Sequence, residues 1–323
     1  MKKIIIIILI LICSGCNNYK ELNNMAIVTG ISIDYNNEYK LNILVSDDKN
    51  TIYQIEGKTI SEAFNKINNI IPKQLYLGHL DMVILSENAC KKINNIIDFF
   101  YKDDEVSKIF HLIMSKNSPH KILKSISKLE PFPFEKISLD INSNNSLSDN
   151  ITYTKYIETY LKKGIDPFIP IVDIYNKKYI STIGQALFKN NKLIGYTNKE
   201  EAQGINIILG NNNELVINNN SIKNIKVKKR YNKNTIYINI YGISKVNKKQ
   251  INNSLKKILY KSINKIKKYN TDILGFGNMI YKNNPNYFYK HPNYLQELNI
   301  VININIKIKN NDSIKEFNNE KVE

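Results

Sequence analysis

The chain has no tryptophan, one arginine (Arg230), four histidines and three cysteines among its 323 residues. Each scarcity excludes something. Reading phosphates and base edges favours the planar guanidinium fork, so a surface whose cations are nearly all lysine argues against a nucleic-acid binder. His79, His111, His120 and His291 have no partner at i+3 or i+4, which leaves no local zinc motif. With 12 Gly and 8 Pro against 42% hydrophobic residues, the chain is neither collagenous nor a disordered linker. There is no GxSxG elbow, P-loop or GxGxxG fingerprint, and Gly275-Phe276-Gly277 reads as a turn. Asp103-Asp104-Glu105 and Glu200-Glu201 lack the periodic oxygen ligands of a calcium loop and read as solvated charge. The sequence therefore offers no catalytic residues, no metal site and no cofactor.

What the chain has in excess is lysine. Basic residues number 23 against 21 acidic between Asn17 and Glu200, and 21 against 8 from Glu201 onward. The formal charge of +17 is thus concentrated in the C-terminal third. Such a surface suits phosphate, an anionic bilayer, or nothing beyond solvation, and its sign does not choose among them.

Met1-Lys2-Lys3 is followed by an unbroken apolar run from Ile4 to Ile12 and then Cys13-Ser14-Gly15-Cys16, the plan of a secretory signal. The run is too short to span a bilayer, which takes about 20 residues of helix. Ser14-Gly15 directly before Cys16 resembles a bacterial lipobox, with Cys13 where an aliphatic residue usually stands. Residues 1–15 are then a lipoprotein signal peptide, Cys16 is the acylated residue, and Cys90 is left as a lone, buried or inert thiol with no disulfide framework.

Periodicity beyond Cys16 alternates strands and helices. Met25–Ile33 and Tyr39–Val45 form a predicted hairpin on Asn36-Asn37. Thr59 opens a helix carrying Ile60, Ala63, Phe64, Ile67, Ile70 and Ile71 and closed by Pro72; a second helix covers Ala89 to Phe100. Short strands are expected at Asp81–Leu85 and Ile109–Met114, and helices after Ser118-Pro119, reaching Leu129, and at Ile151–Leu161. Strands follow near Phe168–Ile174, Gly184–Phe188 and Lys192–Tyr196, then at Glu214–Ile217, Ser221–Lys229 and Thr235–Ile243. Gln250–Lys268 reads as a basic amphipathic helix and Ile300–Ile308 as a strand with one buried face. Tyr281, Tyr287, Phe288, Tyr289 and Tyr294 are expected in an aromatic loop packed on its own domain. The fold class is mixed, α/β to α+β, with mixed sheets flanked by helices in a multidomain ectodomain. The expected domains are an N-terminal region at 16–200, divisible near 131–150, and a basic C-terminal domain at 201–323.

Several strings resemble the Ger(x)C lipoproteins, the C subunits of spore germinant receptors. They are Cys16 with Lys20-Glu21-Leu22-Asn23 and Ala26 to Asp34; Gly78-His79-Leu80; Gly184 to Lys189 with Lys192 to Gly195, Glu201 and Gly204; and Leu274-Gly275-Phe276-Gly277. Asn17-Asn18 stand where that family usually has Trp-Asp. The resemblance implies a lipid-anchored ectodomain on the outer face of the spore inner membrane, working with an A-type and a B-type membrane subunit and without enzymatic activity. Lys20 and Glu21, next to the lipid, are the expected partner contacts, while the glycines are expected to serve backbone turns. A solute-binding lipoprotein of a transporter is the alternative; it would show two similar lobes.

Overall fold

The computed structural model describes residues 24–308 apart from 48, 129–150, 176–178, 211–213, 218–219 and 246–247. The expected signal peptide, Cys16, Lys20, Glu21, Leu129 and the Ser/Asn-rich stretch ending at Asn150 lie outside the described residues.

The first half builds one large sheet. β1 (Met25–Asn36) turns through Asn37, at φ 63°, into β2 (Glu38–Val45), the expected hairpin. β3 (Thr51–Gly57) pairs antiparallel on β2. Thr59 caps α1 (Ile60–Asn68) by accepting from the Glu62 amide, and β4 (Gln74–Tyr76) runs parallel to the start of β1. β5 (Met82–Ser86) leads into α2 (Glu87–Cys90) and α3 (Ile93–Lys102), followed by β6 (His111–Ser115) and α4 (Pro119–Ile126). α5 (Tyr153–Leu161) precedes β7 (Phe168–Tyr175), β8 (Tyr179–Lys189) and β9 (Lys192–Tyr196). The strand order is β3-β2-β1-β5-β6-β7-β8-β9, and β1, β5, β6 and β7 are mutually parallel. Parallel strands need crossover connections, and α1 to α5 lie in them. Both faces of the centre are covered. Ile31, Ile33, Val83, Leu85, Leu112 and Met114 join the main core, while Met82, Ile84, Ile113 and Val172 pack under Ile122, Leu123 and Ile126 of α4.

After α6 (Lys199–Leu209) a second sheet forms from β10 (Glu214–Ile217), β11 (Asn220–Asn232), β12 (Thr235–Ser244) and β13 (Asn299–Ile308), in that order, with β13 parallel to β12. The crossover between them carries α7 (Lys248–Tyr269), α8 (Phe276–Asn283), α9 (Pro285–Lys290) and α10 (Tyr294–Glu297). Ile251, Leu255, Ile258, Leu259, Ile263 and Ile266 of α7 are buried, so its apolar stripe packs inward as the period predicts. The molecule is mixed α+β, with two mixed sheets flanked by helices. No described helix is long and apolar enough to cross a membrane.

Three local expectations need correction. α1 ends at Asn68, where the amide of Asn69 bonds back to Lys66 and Ile67, so Ile71 is buried beyond the helix and Ile70 is left exposed. The expected helix from Ala89 to Phe100 is two helices broken at Lys91-Lys92. The aromatic run from Tyr281 to Tyr294 is three short helices, two of them opened by Gly275 in the left-handed region and by Pro285.

Candidate functional site

The four resembling strings, beyond the expected lipidation site, are where the sequence points for partner contact and assembly. Ala26 to Asp34 is the central strand of the first sheet, with Val28, Ile31 and Ile33 fully buried. Gly78-His79 forms a tight corner before β5, where any Cβ on Gly78 would overlap the Tyr76 ring and the His79 ring meets that ring edge-on.

The glycines of the third string do not serve turns. Gly184 lies inside β8 where the Thr197 carbonyl crosses, Gly195 lies in β9 against the Tyr269 ring, and Gly204 lies in α6 against Ser262 of α7. At each a methyl group would overlap its neighbour, so glycine here permits close approach and φ plays no part. The contacts of Gly195 with Tyr269 and of Gly204 with Ser262 fasten this end of the first sheet to α7 of the second. The Gln185 backbone amide donates to the Thr197 hydroxyl (2.8 Å), and the Gln185 side chain donates to Asn206 on α6 (3.0 Å). Ser262 donates to the Glu201 carbonyl at 2.7 Å. Glu201 closes a capping box with Asn198 and pairs at 3.2 Å with Lys265, largely shielded from solvent.

The fourth string builds the joint itself. Buried Asp272 accepts from the amides of Phe276 (3.1 Å) and Gly277 (2.5 Å) and from the Tyr294 hydroxyl (2.9 Å). From the first half, the Asp166 amide donates to the Asp272 carbonyl (2.9 Å), and the Asp272 amide donates to the Asp166 carboxylate (2.7 Å). Gly164, at φ 70°, accepts from the Asn278 amide and passes too close to Gly277 for either to carry a Cβ. Thr271 donates to the Phe188 carbonyl at 2.9 Å and Lys189 to that of Asn270. Burial pushes the Asp272 carboxyl up to about 6 and raises that of Asp166; it lowers Lys229, which the Asp272 charge partly restores. A cleft of about 400 Å³ opens beside the joint, walled by Leu161, Phe288, Tyr289 and Pro292 with Asp166 and Lys189 at its floor. Asp166 and Asp272 were invisible to local spacing because their pairing joins residues 106 positions apart, and Tyr294 was read only as part of an aromatic run. The one available signal was an Asp four residues ahead of a helix opening, a capping arrangement.

The histidines occupy separate places. His111 stands at the head of β6 and burial lowers its ring; His120 is on α4; His291 stacks on Tyr287 and reaches Glu297 at 2.9 Å. Among the described residues no group of three His, Cys, Asp or Glu side chains converges. Of the acidic runs, Glu200 and Glu201 pair with Lys261 and Lys265, and the Asp103 carboxylate accepts from the Glu105 amide. Cys90 is fully buried, which raises its thiol far above the usual range and leaves it inert.

Two family descriptions match the chain in succession, "Spore germination protein N-terminal domain" at residues 18–174 and "Spore germination B3/GerAC like, C-terminal" at residues 183–312. Spore germination protein KC of Bacillus subtilis (strain 168) is 20% identical, aligned over 93% of this chain and 92% of its own. Spore germination protein B3 of the same organism is 24% identical over 62% of this chain and 59% of its own. The crystal structure of the GerBC protein shares the fold, with a TM-score of 0.52 at 17% identity, covering 87% of this chain and 97% of GerBC. Both family halves therefore lie in order along one chain, and the chain belongs to the Ger(x)C family of spore germination proteins.

Proposed function

We propose that the chain is the C subunit of a nutrient germinant receptor, anchored by acyl chains on Cys16 to the outer face of the spore inner membrane. It acts there by binding and assembly with A-type and B-type membrane subunits. The observation that carries this reading is the succession of both family halves over residues 18–312 behind a signal and lipobox ending at Cys16. Two or three acyl chains hold a protein firmly where one is marginal. Lys20 and Glu21 stand within five residues of the lipid, in reach of a polytopic partner, and Glu21 precedes a strand with no core for a carboxylate to fill. We read the domain boundary near Glu201, a reading supported by the interval between the end of the first sheet at Tyr196 and the start of the second at Glu214.

A non-catalytic role fits a site whose polar groups are spent on holding the two sheets together. The solute-binding alternative expects two similar lobes, whereas one sheet here is nine-stranded and the other four-stranded. The test is Cys16→Ala. Mass spectrometry should find the variant as an unlipidated precursor that keeps residues 1–15, with germination reduced and the fold retained. Absence of lipid on the N-terminal peptide of the natural protein by mass spectrometry contradicts the anchor. Replacing any one histidine by Ala should leave germination intact; a histidine variant that assembles normally yet abolishes it would demand an acid/base or metal site.

A further inference from the structure

Among the described residues nine large apolar side chains are exposed, and six of them share one end of the molecule. β1, β4, β5, β6 and β7 are parallel, so the segments leading into them all lie at the same end of the first sheet. Ile70 precedes β4, Tyr101 and Ile109 precede β6, and Tyr160 and Leu161 precede β7. Tyr289 joins them from the other wall of the cleft that Tyr160 and Leu161 line. Ile109 and Leu161 are 71% and 72% exposed, although the chain has ample core to bury them. Single exposed apolar residues are unremarkable, but several at one end are a surface.

Where the chain enters says what covers that surface. β1 starts at Met25, five residues before Gly30 draws level with the start of β5, so its first residue projects furthest toward this end. Only eight residues separate Cys16 from Met25, a reach of at most about 30 Å when fully extended. Acyl chains on Cys16 thus hold the bilayer beside this end. Tyrosine, isoleucine and leucine flanked by Lys73, Lys102, Lys162, Lys163 and Lys290 match the composition of membrane-interface anchors. Asp103, Asp104 and Glu105, in the connection leading into β6, offset three of those five lysines, so the attraction is mainly apolar.

We infer that the strand-entry end of the first sheet, through Ile70, Tyr101, Ile109, Tyr160, Leu161 and Tyr289, lies on the lipid bilayer interface and fixes the orientation of the ectodomain. The inference rests on the anchored reading above, and its test is made independent of cellular acylation. The chain has no tryptophan and, from Cys16 onward, only the buried Cys90 besides Cys16. The mature chain starting at Cys16 can be coupled through that thiol to a maleimide lipid in phosphatidylcholine vesicles. It would carry Ile109→Trp, Leu161→Trp or, as a control on the second sheet, Tyr241→Trp.

Shallow brominated lipids should quench the emission of the Ile109→Trp and Leu161→Trp chains several-fold more than that of the Tyr241→Trp chain. Raising salt or adding anionic lipid should leave the ratio unchanged. Equal quenching in all three chains, or quenching that appears only with anionic lipid, overturns the inference. Natural protein without lipid on Cys16 would sink the anchored reading alone and leave this result standing.

Discussion

The two sheets solve the burial problem in opposite ways. In β5 of the first sheet all five residues from Met82 to Ser86 are buried, because helices cover both faces. In β12 of the second only every other residue is, and Ile236, Ile238 and Ile240 alternate with half-exposed Thr235, Tyr237 and Asn239. A parallel sheet sandwiched by crossovers needs a continuous apolar run, whereas a sheet with one wet face needs period two. The charge follows the same division. The exposed Lys226, Lys228 and Arg230 of β11 stand beside Tyr241, Asn239 and Tyr237 on the open face, where lysine costs nothing to hydrate. The C-terminal excess of cations is thus in part a consequence of having an open face.

Substitution can break that comparison. Ile84→Ala and Leu85→Ala, adjacent in β5 but on opposite faces, should each cost about 2 to 5 kcal/mol by urea denaturation. In β12 Ile238→Ala should cost as much, while Tyr241→Thr on the open face stays within about 0.5 kcal/mol. A large loss at Tyr241 would show that something covers the open face.

The joint is next in size. Asp272→Ala strands two amides and the Tyr294 hydroxyl, at a cost of about 1 to 3 kcal/mol for each buried group left unpaired. The two sheets should then melt in separate calorimetric transitions; one unchanged transition would show that the joint does not couple them. The same carboxyl carries a pH dependence. Its folded value of about 6 lies above its ordinary 3.8, so the folded state binds the proton more tightly. Its stabilising contribution is therefore full below about 3.8 and is lost as pH rises through 6, on the order of 3 kcal/mol at about 1.4 kcal/mol per unit. Asp272→Asn should flatten stability between pH 4 and 7.

Gly204→Ala, which forces α6 away from Ser262 on α7, should cost about 1 to 3 kcal/mol by overpacking and lower the melting temperature without changing the fold. The smallest effect belongs to the exposed pair Lys102–Asp98 on α3. Lys102→Ala should shift stability by about 0.3 to 0.5 kcal/mol, and less in high salt.

How much was legible follows from the same contrast. The open sheet and α7 could be read from alternation and helical spacing, because one wet face leaves a periodic trace, and the hairpin at Asn37 could be read from its Asn36-Asn37 turn. β3 was missed: on the sheet edge no residue from Thr51 to Glu56 is fully buried, and the alternation is confined to the short run Tyr53 to Glu56. α6 was missed although Asn198 and Glu201 spell a capping box, because Gly204 reads as a breaker until Ser262 explains it. Asn206 is buried on the same helix because Gln185 donates to it from β8, a partner no spacing reveals. Of the site, the strings at Gly184 and Leu274 were found by resemblance, but their pairing with Asp166 is a tertiary fact.

The central claim, a membrane-held subunit that works by assembly, is tested most directly by crosslinking and affinity capture of the full chain from spore inner membranes. The expected result is co-purification of an A-type and a B-type polytopic subunit with the acylated chain. Recovery of the chain alone, or with a transporter permease, would contradict the account.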